Sequence, residues 1–346
     1  MRALQAKRGW IKMKKYNIAI LGATGAVGCE MLKVLEEYNI PVNKLLPLAS
    51  ARSAGGTVKF KGEDIVIEEA TENSFEGMDF VLGAVKNAMS RQFAPAIVKS
   101  GAVYIDNSSA FRMDPDVPLV VPEINGEDAF NNKGIIANPN CSSIITLMAV
   151  AGIAKLSPIK SMTACTYQAV SGAGQPGIKE LEDQMADISA GRDTSHSCFA
   201  TQSAMNVIPM IGAELDNLYT DEEMKMQNEG RRILHLPELK VNCTCVRVPV
   251  MRSHSIAVTV RTEEKVSIEQ AKEAIRNYPG CRLVEDYQGR NYPTPLDTTD
   301  QDLVWVGRIR DDICDEKGLT LWCCGDQVRK GAASNAVQIL KHLIEK

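Results

Sequence analysis

Residues 16–28 read Tyr16-Asn-Ile-Ala-Ile-Leu21-Gly22-Ala23-Thr24-Gly25-Ala26-Val27-Gly28, an apolar run followed by regularly spaced glycines. The run Tyr16–Leu21 predicts a strand, and the amphipathic stretch Ala26–Tyr38 predicts a helix. Glycines at such a turn let the backbone approach a pyrophosphate, whose charge the helix N-terminus favours. The spacing is G-x-x-G-x-x-G rather than the commoner G-x-G-x-x-G, and glycines also serve ordinary tight turns. Its place between strand and helix favours a dinucleotide site.

Outward from this stretch, strand and helix keep alternating. Strands are expected at Leu45–Ala49, Ile65–Glu68, Asp79–Val85, Val103–Asp106 and Leu119–Val121, with a helix over Ser90–Lys99. Such alternation predicts a Rossmann-like, doubly wound parallel sheet. Beyond residue 157 long alternating runs take over: Met162–Val170, Val241–Val250, Ile256–Thr262, Leu303–Arg310 and Leu319–Cys324. Helical pieces separate them at Gly177–Ile188, Thr220–Leu234 and Ile268–Tyr278. This pattern predicts an α+β domain with a large, mainly antiparallel sheet. The expected division is a dinucleotide-binding domain over 14–140, completed by the C-terminal helix within 330–346, and a catalytic domain over 141–329. Residues 1–13 are set apart as a leader outside the fold.

The 346 residues suit about two domains, and 45% hydrophobic against 24% charged residues is ordinary globular composition. A formal net charge of −4 argues against a nucleic-acid binder. The apolar stretch Ser142–Ala154 is shorter than the ~20 residues that span a bilayer, so no membrane segment is expected. Ten Cys without a C-x-x-C pair read as a reduced, cytosolic chain with no metal site.

One cysteine stands out by context. In Asn138-Pro-Asn-Cys141-Ser142 a turn over Asn138–Asn140 is followed by Ser142 opening the apolar helix Ile144–Lys155, and in that first turn free N–H groups and the helix dipole favour the Cys141 thiolate. That is the setting of a covalent nucleophile, against the alternative of a buried structural thiol. Of four His, His254 lies in Arg247-Val-Pro-Val-Met-Arg-Ser-His254, a bend between two long strands. The residues alone leave His254 open between a pocket base and a hydrogen-bonded surface side chain. Arg112, beyond the end of a parallel strand, suits an anion grip. Glu222 and Lys225 share a helix face, the usual pattern of a surface ion pair. The loop Ser50-Ala-Arg52-Ser53 follows the second strand where an NAD site carries an acid; a hydroxyl and a guanidinium there suit the 2′-phosphate of NADP.

The ordered set of Gly22–Gly28, Ser50–Ser53, Asn107-Ser-Ser-Ala-Phe-Arg112, Asn138–Ser142, Gln168-Ala-Val-Ser-Gly-Ala-Gly174, Glu222-Glu-Met-Lys225, Arg247–His254 and Gly307-Arg-Ile-Arg310 resembles aspartate-semialdehyde dehydrogenases over about residues 14–346. The resemblance implies NADPH-dependent reductive dephosphorylation of L-aspartyl 4-phosphate to L-aspartate 4-semialdehyde, feeding lysine, threonine, methionine and isoleucine. By position it implies Cys141 as nucleophile, His254 as acid/base and Gln168 as the orienting residue. Arg247 would hold the substrate carboxylate, Glu222 its ammonium, and Arg112 with Lys225 the phosphate. Ser171, Gly172 and Gln327 would flank the cofactor, and the protein would be a homodimer or a dimer of dimers.

Two positions depart from the family pattern. Gln327 stands where Asn is commoner, and Gly83-Ala-Val replaces Ser-Ala-Gly, removing a hydroxyl on the phosphate side. Related acyl-phosphate and acyl-thioester reductases, such as N-acetylglutamyl-phosphate reductase and malonyl-CoA reductase, are the nearest alternatives. Glu222 argues against them, because it suits a free ammonium. A short-chain dehydrogenase would need Tyr-x-x-x-Lys, which no Tyr provides. A non-catalytic dinucleotide binder would be expected to lack Cys141 or His254.

Overall fold

A computed structural model describes residues 14–286 and 288–346; the expected leader, residues 1–13, lies outside the described residues. Strand β1 (Tyr16–Leu21) leads through the glycine turn into α1 (Ala26–Glu37), and β2 is Val42–Ala49. Next come β3 (Thr57–Phe60), β4 (Glu63–Val66), β5 (Glu68–Glu69), β6 (Phe80–Gly83), α2 (Asn87–Lys99) and β7 (Val103–Asp106). A short α3 (Pro122–Asn125) and β8 (Ile135–Ala137) follow. The sheet order is β5-β2-β1-β6-β7-β8, every pair parallel. Helices cover both faces, so β6 is buried along its whole length.

Two strand expectations are corrected. The run Ile65–Glu68 is divided: Glu63–Val66 pairs with Thr57–Phe60 in a separate hairpin, and only Glu68–Glu69 joins the main sheet. The hairpin turns on Lys61 and Gly62, both at positive φ, which matches the strand twist. Leu119–Val121 forms one bridge, Leu119 to Ala137, and Ile135–Ala137 is the outer strand instead. Pro118 and Pro122 bracket the expected strand, and neither has an N–H to extend a ladder.

The second layer starts with α4 (Cys141–Leu156), buried from Ser142 to Ile153 on every side, as befits a helix apolar all round. It is followed by β9 (Ile159–Gln168), α5 (Gln175–Ser189), α6 (Asp221–Ile233), β10 (Lys240–Arg247) and β11 (His254–Thr262). Then come α7 (Ile268–Arg276), β12 (Cys281–Leu283), α8 (Pro295–Thr298), β13 (Val304–Asp311) and β14 (Gly318–Gly325). The order β10-β9-β11-β14-β13-β12 is antiparallel in its three inner pairs and parallel in both outer pairs. The mainly antiparallel expectation thus becomes a mixed sheet. Helices α5 and α6 supply the crossover that lets β10 lie parallel to β9. On the inner face Met162, Ala164, Val258, Val260, Leu319 and Leu321 pack against Ile144, Ile145, Leu147 and Met148 of α4. Thr163, Tyr167, Asn242 and Thr244 on the outer face are exposed.

After β14 a π-helical turn, Arg329–Ala333, enters α9 (Ser334–Ile344). Ala336, Val337, Ile339 and Leu340 bury themselves beside Ile18, Ile20 and Leu82 of the first sheet. Arg329 pairs with Glu30 of α1 at 3.1 Å and with Asp302 at 2.9 Å, tying the two layers together. Among the described residues no helix is long and apolar enough to cross a membrane.

Candidate active site

The dinucleotide end is built by β1 and α1. Gly22 sits at φ +93°, and a Cβ there would lie 2.5 Å from the Ala84 carbonyl oxygen. A Cβ on Gly28 would fall 2.2 Å from the Gly22 oxygen, so helix and turn close tightly only with glycine. Gly25 caps α1 without a side chain, and the first turn has no acidic residue. That turn thus brings no carboxylate of its own to the free N–H groups, and the cradle fits a pyrophosphate. Ser50–Ser53 form a turn beyond β2, closed by Ser53 N–H to the Ser50 carbonyl at 2.9 Å, with Arg52 exposed.

The nucleophile candidate opens α4. Asn140 is the N-cap: its Oδ1 accepts from Ser142 N–H at 3.0 Å and Ser143 N–H at 3.3 Å. Cys141 Sγ lies 3.3 Å from His254 Nε2. On the far side of the ring, Ala169 N–H donates to Nδ1 at 3.1 Å. A neutral ring accepting at Nδ1 carries its proton on Nε2, facing the sulfur.

The expected thiolate is not the resting state. Burial raises the Cys141 pKa to about 12, with Glu222 adding to the rise, while Arg112, Arg247 and the Ser142 N–H oppose it without prevailing. Desolvation, helped by Arg247, holds His254 well below its ordinary value. Both shifts favour the neutral thiol and the neutral imidazole over the charged pair.

Helix α6 supplies the acid side of the site. Thr220 and Glu223 form a capping box, which fixes the first turn. Glu222 is buried and accepts from Lys225 Nζ at 3.0 Å, Asn140 Nδ2 at 3.0 Å and Gln168 Nε2 at 3.2 Å. Burial alone would raise its pKa, but Lys225 and the two amides outweigh burial and hold the carboxyl below its usual value. The ion pair expected on the surface is thus an interior one, and Asp221 also reaches Lys225 at 3.0 Å.

The two guanidinium groups are separately fixed. Arg247 NH1 donates to the Ala169 carbonyl at 2.6 Å, and Phe199 lies under the guanidinium at 5.5 Å. Arg112 donates to the Asn138 and Asn107 carbonyls at 2.9 and 2.8 Å and to Glu229 at 3.0 Å. Gly172 faces this group: a Cβ there would lie 3.0 Å from Arg247 NH1 and 3.5 Å from the His254 ring. Gln327 bonds the Ser171 hydroxyl and accepts from Ser253 N–H at 2.7 Å, one residue before His254. Cys141, His254, Gln168, Arg247, Glu222, Lys225 and Arg112 thus converge where α4, α6 and the ends of β9–β11 meet. The glycine turn and Ser50–Ser53 lie apart, at the strand ends of the first sheet.

Three features were missed in the sequence. Glu229 joins Arg112 to the Asn140 N–H; its signal was its spacing from Glu222 and Lys225 on one helix face. Gly331 packs so closely that a Cβ would sit 2.8 Å from Cys141 Cβ. Gly83 is required by Tyr104, which is fully buried: its Oη lies 2.5 Å from where a Cβ would be and is bonded to Ser90 and Asp106.

Fold and site define a class: a nicotinamide-dependent oxidoreductase with a cysteine–histidine pair in its second layer. Family models for the semialdehyde dehydrogenase NAD binding domain and dimerisation domain match residues 17–132 and 150–330. The aspartate-semialdehyde dehydrogenase of Synechocystis is 48% identical over 95% of this chain and 98% of its own. That of Aquifex aeolicus is 46% identical over 95% and 98%. The crystal structure of aspartate semialdehyde dehydrogenase II of Vibrio cholerae, complexed with ASA, superposes with a TM-score of 0.94 at 42% identity, covering 96% of this chain and 99% of that one. The chain belongs to the aspartate-semialdehyde dehydrogenase family. Its reaction is the reductive dephosphorylation of L-aspartyl 4-phosphate in the aspartate pathway of amino-acid biosynthesis.

Proposed function

We propose that this chain carries out that reaction with NADPH, through a thioester on Cys141. The observation that carries the reading is the 3.3 Å approach of Cys141 Sγ and His254 Nε2, with Arg112, Arg247 and Glu222 around it. Cys141 Sγ attacks the acyl carbon, the bond from that carbon to the phosphate oxygen breaks, and the thiol proton leaves on phosphate. A covalent adduct divides one hard displacement into two easier ones. NADPH supplies the hydride when bound, with the Gly22–Gly28 turn, Ser50, Arg52, Ser53, Ser171, Gly172 and Gln327 holding it. As the C–S bond then opens, His254 acts as acid/base through Nε2 at the sulfur and the substrate oxygen, and Gln168 orients the carbonyl.

Arg247 holds the substrate carboxylate, since a planar fork matches a carboxylate. Glu222 receives the ammonium, and Arg112 with Lys225 receives the phosphate. Glu222 favours a substrate with a free amino group over an N-acetyl or CoA substrate. The functional units run over 14–140 with 330–346, and over 141–329. The exposed outer face of the second sheet is the surface for a homodimer, from which a dimer of dimers can be built. We place the enzyme in the cytoplasm, feeding lysine, threonine, methionine and isoleucine synthesis. The test is NADP reduction by aspartate semialdehyde. Strict dependence on inorganic phosphate supports the reading, and phosphate-independent turnover contradicts it.

A further inference from the structure

Glu229 is a buried carboxylate, 1% exposed, that the proposed chemistry does not use. Its two oxygens serve different parts of the site. Oε1 accepts from Arg112 NH1 at 3.0 Å, and Oε2 accepts the backbone N–H of Asn140 at 2.7 Å. Asn140 is the N-cap of the helix that Cys141 opens. Arg112 is further pinned by the carbonyls of Asn107 and Asn138, so its position is fixed from three sides. A negative charge here weakens phosphate binding by repulsion across the guanidinium.

We propose that Glu229 is a positioning residue with two effects: it sets Arg112 in register with the backbone of the Cys141 helix, and its charge keeps phosphate loosely held. The inference rests on the reading that Arg112 receives the phosphate. Loose binding suits a group that leaves in one direction and enters as free phosphate in the other. A role confined to holding Arg112 in place would weaken phosphate once the pair is broken, because the guanidinium loses its anchor, whereas release of the charge tightens it.

The test uses full-length enzyme and inorganic phosphate. Protection of Cys141 against iodoacetamide gives phosphate affinity without turnover, and phosphate-dependent oxidation of aspartate semialdehyde gives kcat and KM. Glu229→Gln removes the charge and one of the two acceptors. It should tighten phosphate on the order of 10-fold and lower kcat on the order of 10-fold, leaving the semialdehyde KM within about 2-fold. Glu229→Asp keeps the charge without the reach, so kcat should fall while phosphate affinity stays at the wild-type value. Arg112→Lys tests the underlying reading and should weaken phosphate protection. If it does not, the phosphate assignment fails and the inference with it. If Arg112→Lys weakens protection but Glu229→Gln leaves phosphate equal or weaker, the inference alone is overturned. Should Glu229→Gln not fold, Glu229→Asp decides: lowered kcat with unchanged phosphate affinity supports the proposal, and any other result overturns it.

Discussion

The backbone N–H of Ala169 donates to His254 Nδ1 at 3.1 Å, and this single bond orients the Nε2 proton toward Cys141 Sγ. Because Ala169 follows Gln168 at the end of β9, the imidazole tautomer is set by the strand that also carries Gln168. The ring then meets the sulfur as a hydrogen-bond donor, and burial of both groups disfavours a thiolate–imidazolium pair.

That state predicts the pH dependence of thiol reactivity. With the Cys141 pKa raised to about 12 by burial, its alkylation by iodoacetamide should climb continuously between pH 7 and 10. A plateau already reached near pH 7 would mean a preformed thiolate and would contradict the assignment.

His254 also makes the fold acid-sensitive. Its folded pKa lies well below the unfolded value of about 6.5, so above that pH both states are neutral and nothing is lost. As pH falls below about 6.5, the unfolded chain binds a proton that the native site refuses, costing up to ~1.4 kcal/mol per pH unit. Urea unfolding of wild type and His254→Asn between pH 7 and 5.5 should give a shallower loss for the variant. Parallel curves would show that His254 titrates normally in the native state.

The parts legible in the sequence were those whose meaning is local. Gly22–Gly28 has its geometry written into residue types, because only glycine fits φ +93° and the helix–turn contact. The turn Asn138-Pro-Asn140 before the apolar run likewise marks where the Cys141 helix starts, and the structure adds that Asn140 is its N-cap. The ionisation of Cys141 was misread, because burial is a sum over the whole surroundings and exceeds the local helix-end effect. Glu229 and Tyr104 were not legible either: each acquires its role from a residue on another element, Arg112 and Gly83. Leu119–Val121 and Ile135–Ala137 are both apolar enough for a strand, and the flanking prolines decided between them.

The proposed choice of NADPH rests on Arg52. Arg52→Ala should weaken NADPH by about 1.5–3 kcal/mol, the range for a charge-assisted hydrogen bond, and leave NADH nearly unchanged. Titration of nicotinamide fluorescence with each cofactor reads this directly. Equal weakening of both would remove the Ser50–Ser53 turn from phosphate recognition.

Gly331 tests how tightly the nucleophile is seated. A methyl there would press 2.8 Å from Cys141 Cβ and 3.4 Å from Gln327 Cβ, within the π-helical turn. Gly331→Ala should cost about 1–3 kcal/mol of stability through overpacking. It should also lower kcat more than it changes NADPH affinity. Unaltered kcat would show that this backbone yields without moving the thiol.

The covalent route through Cys141 is tested most directly by rapid mixing of the enzyme with NADP and aspartate semialdehyde in the absence of phosphate. A burst of one NADPH per active site, with an acyl group on the Cys141 peptide in the quenched sample and neither in Cys141→Ala, is the predicted result. Absence of the burst, or a Cys141→Ala enzyme keeping more than about a hundredth of wild-type kcat, a loss below ~2.7 kcal/mol, would contradict it.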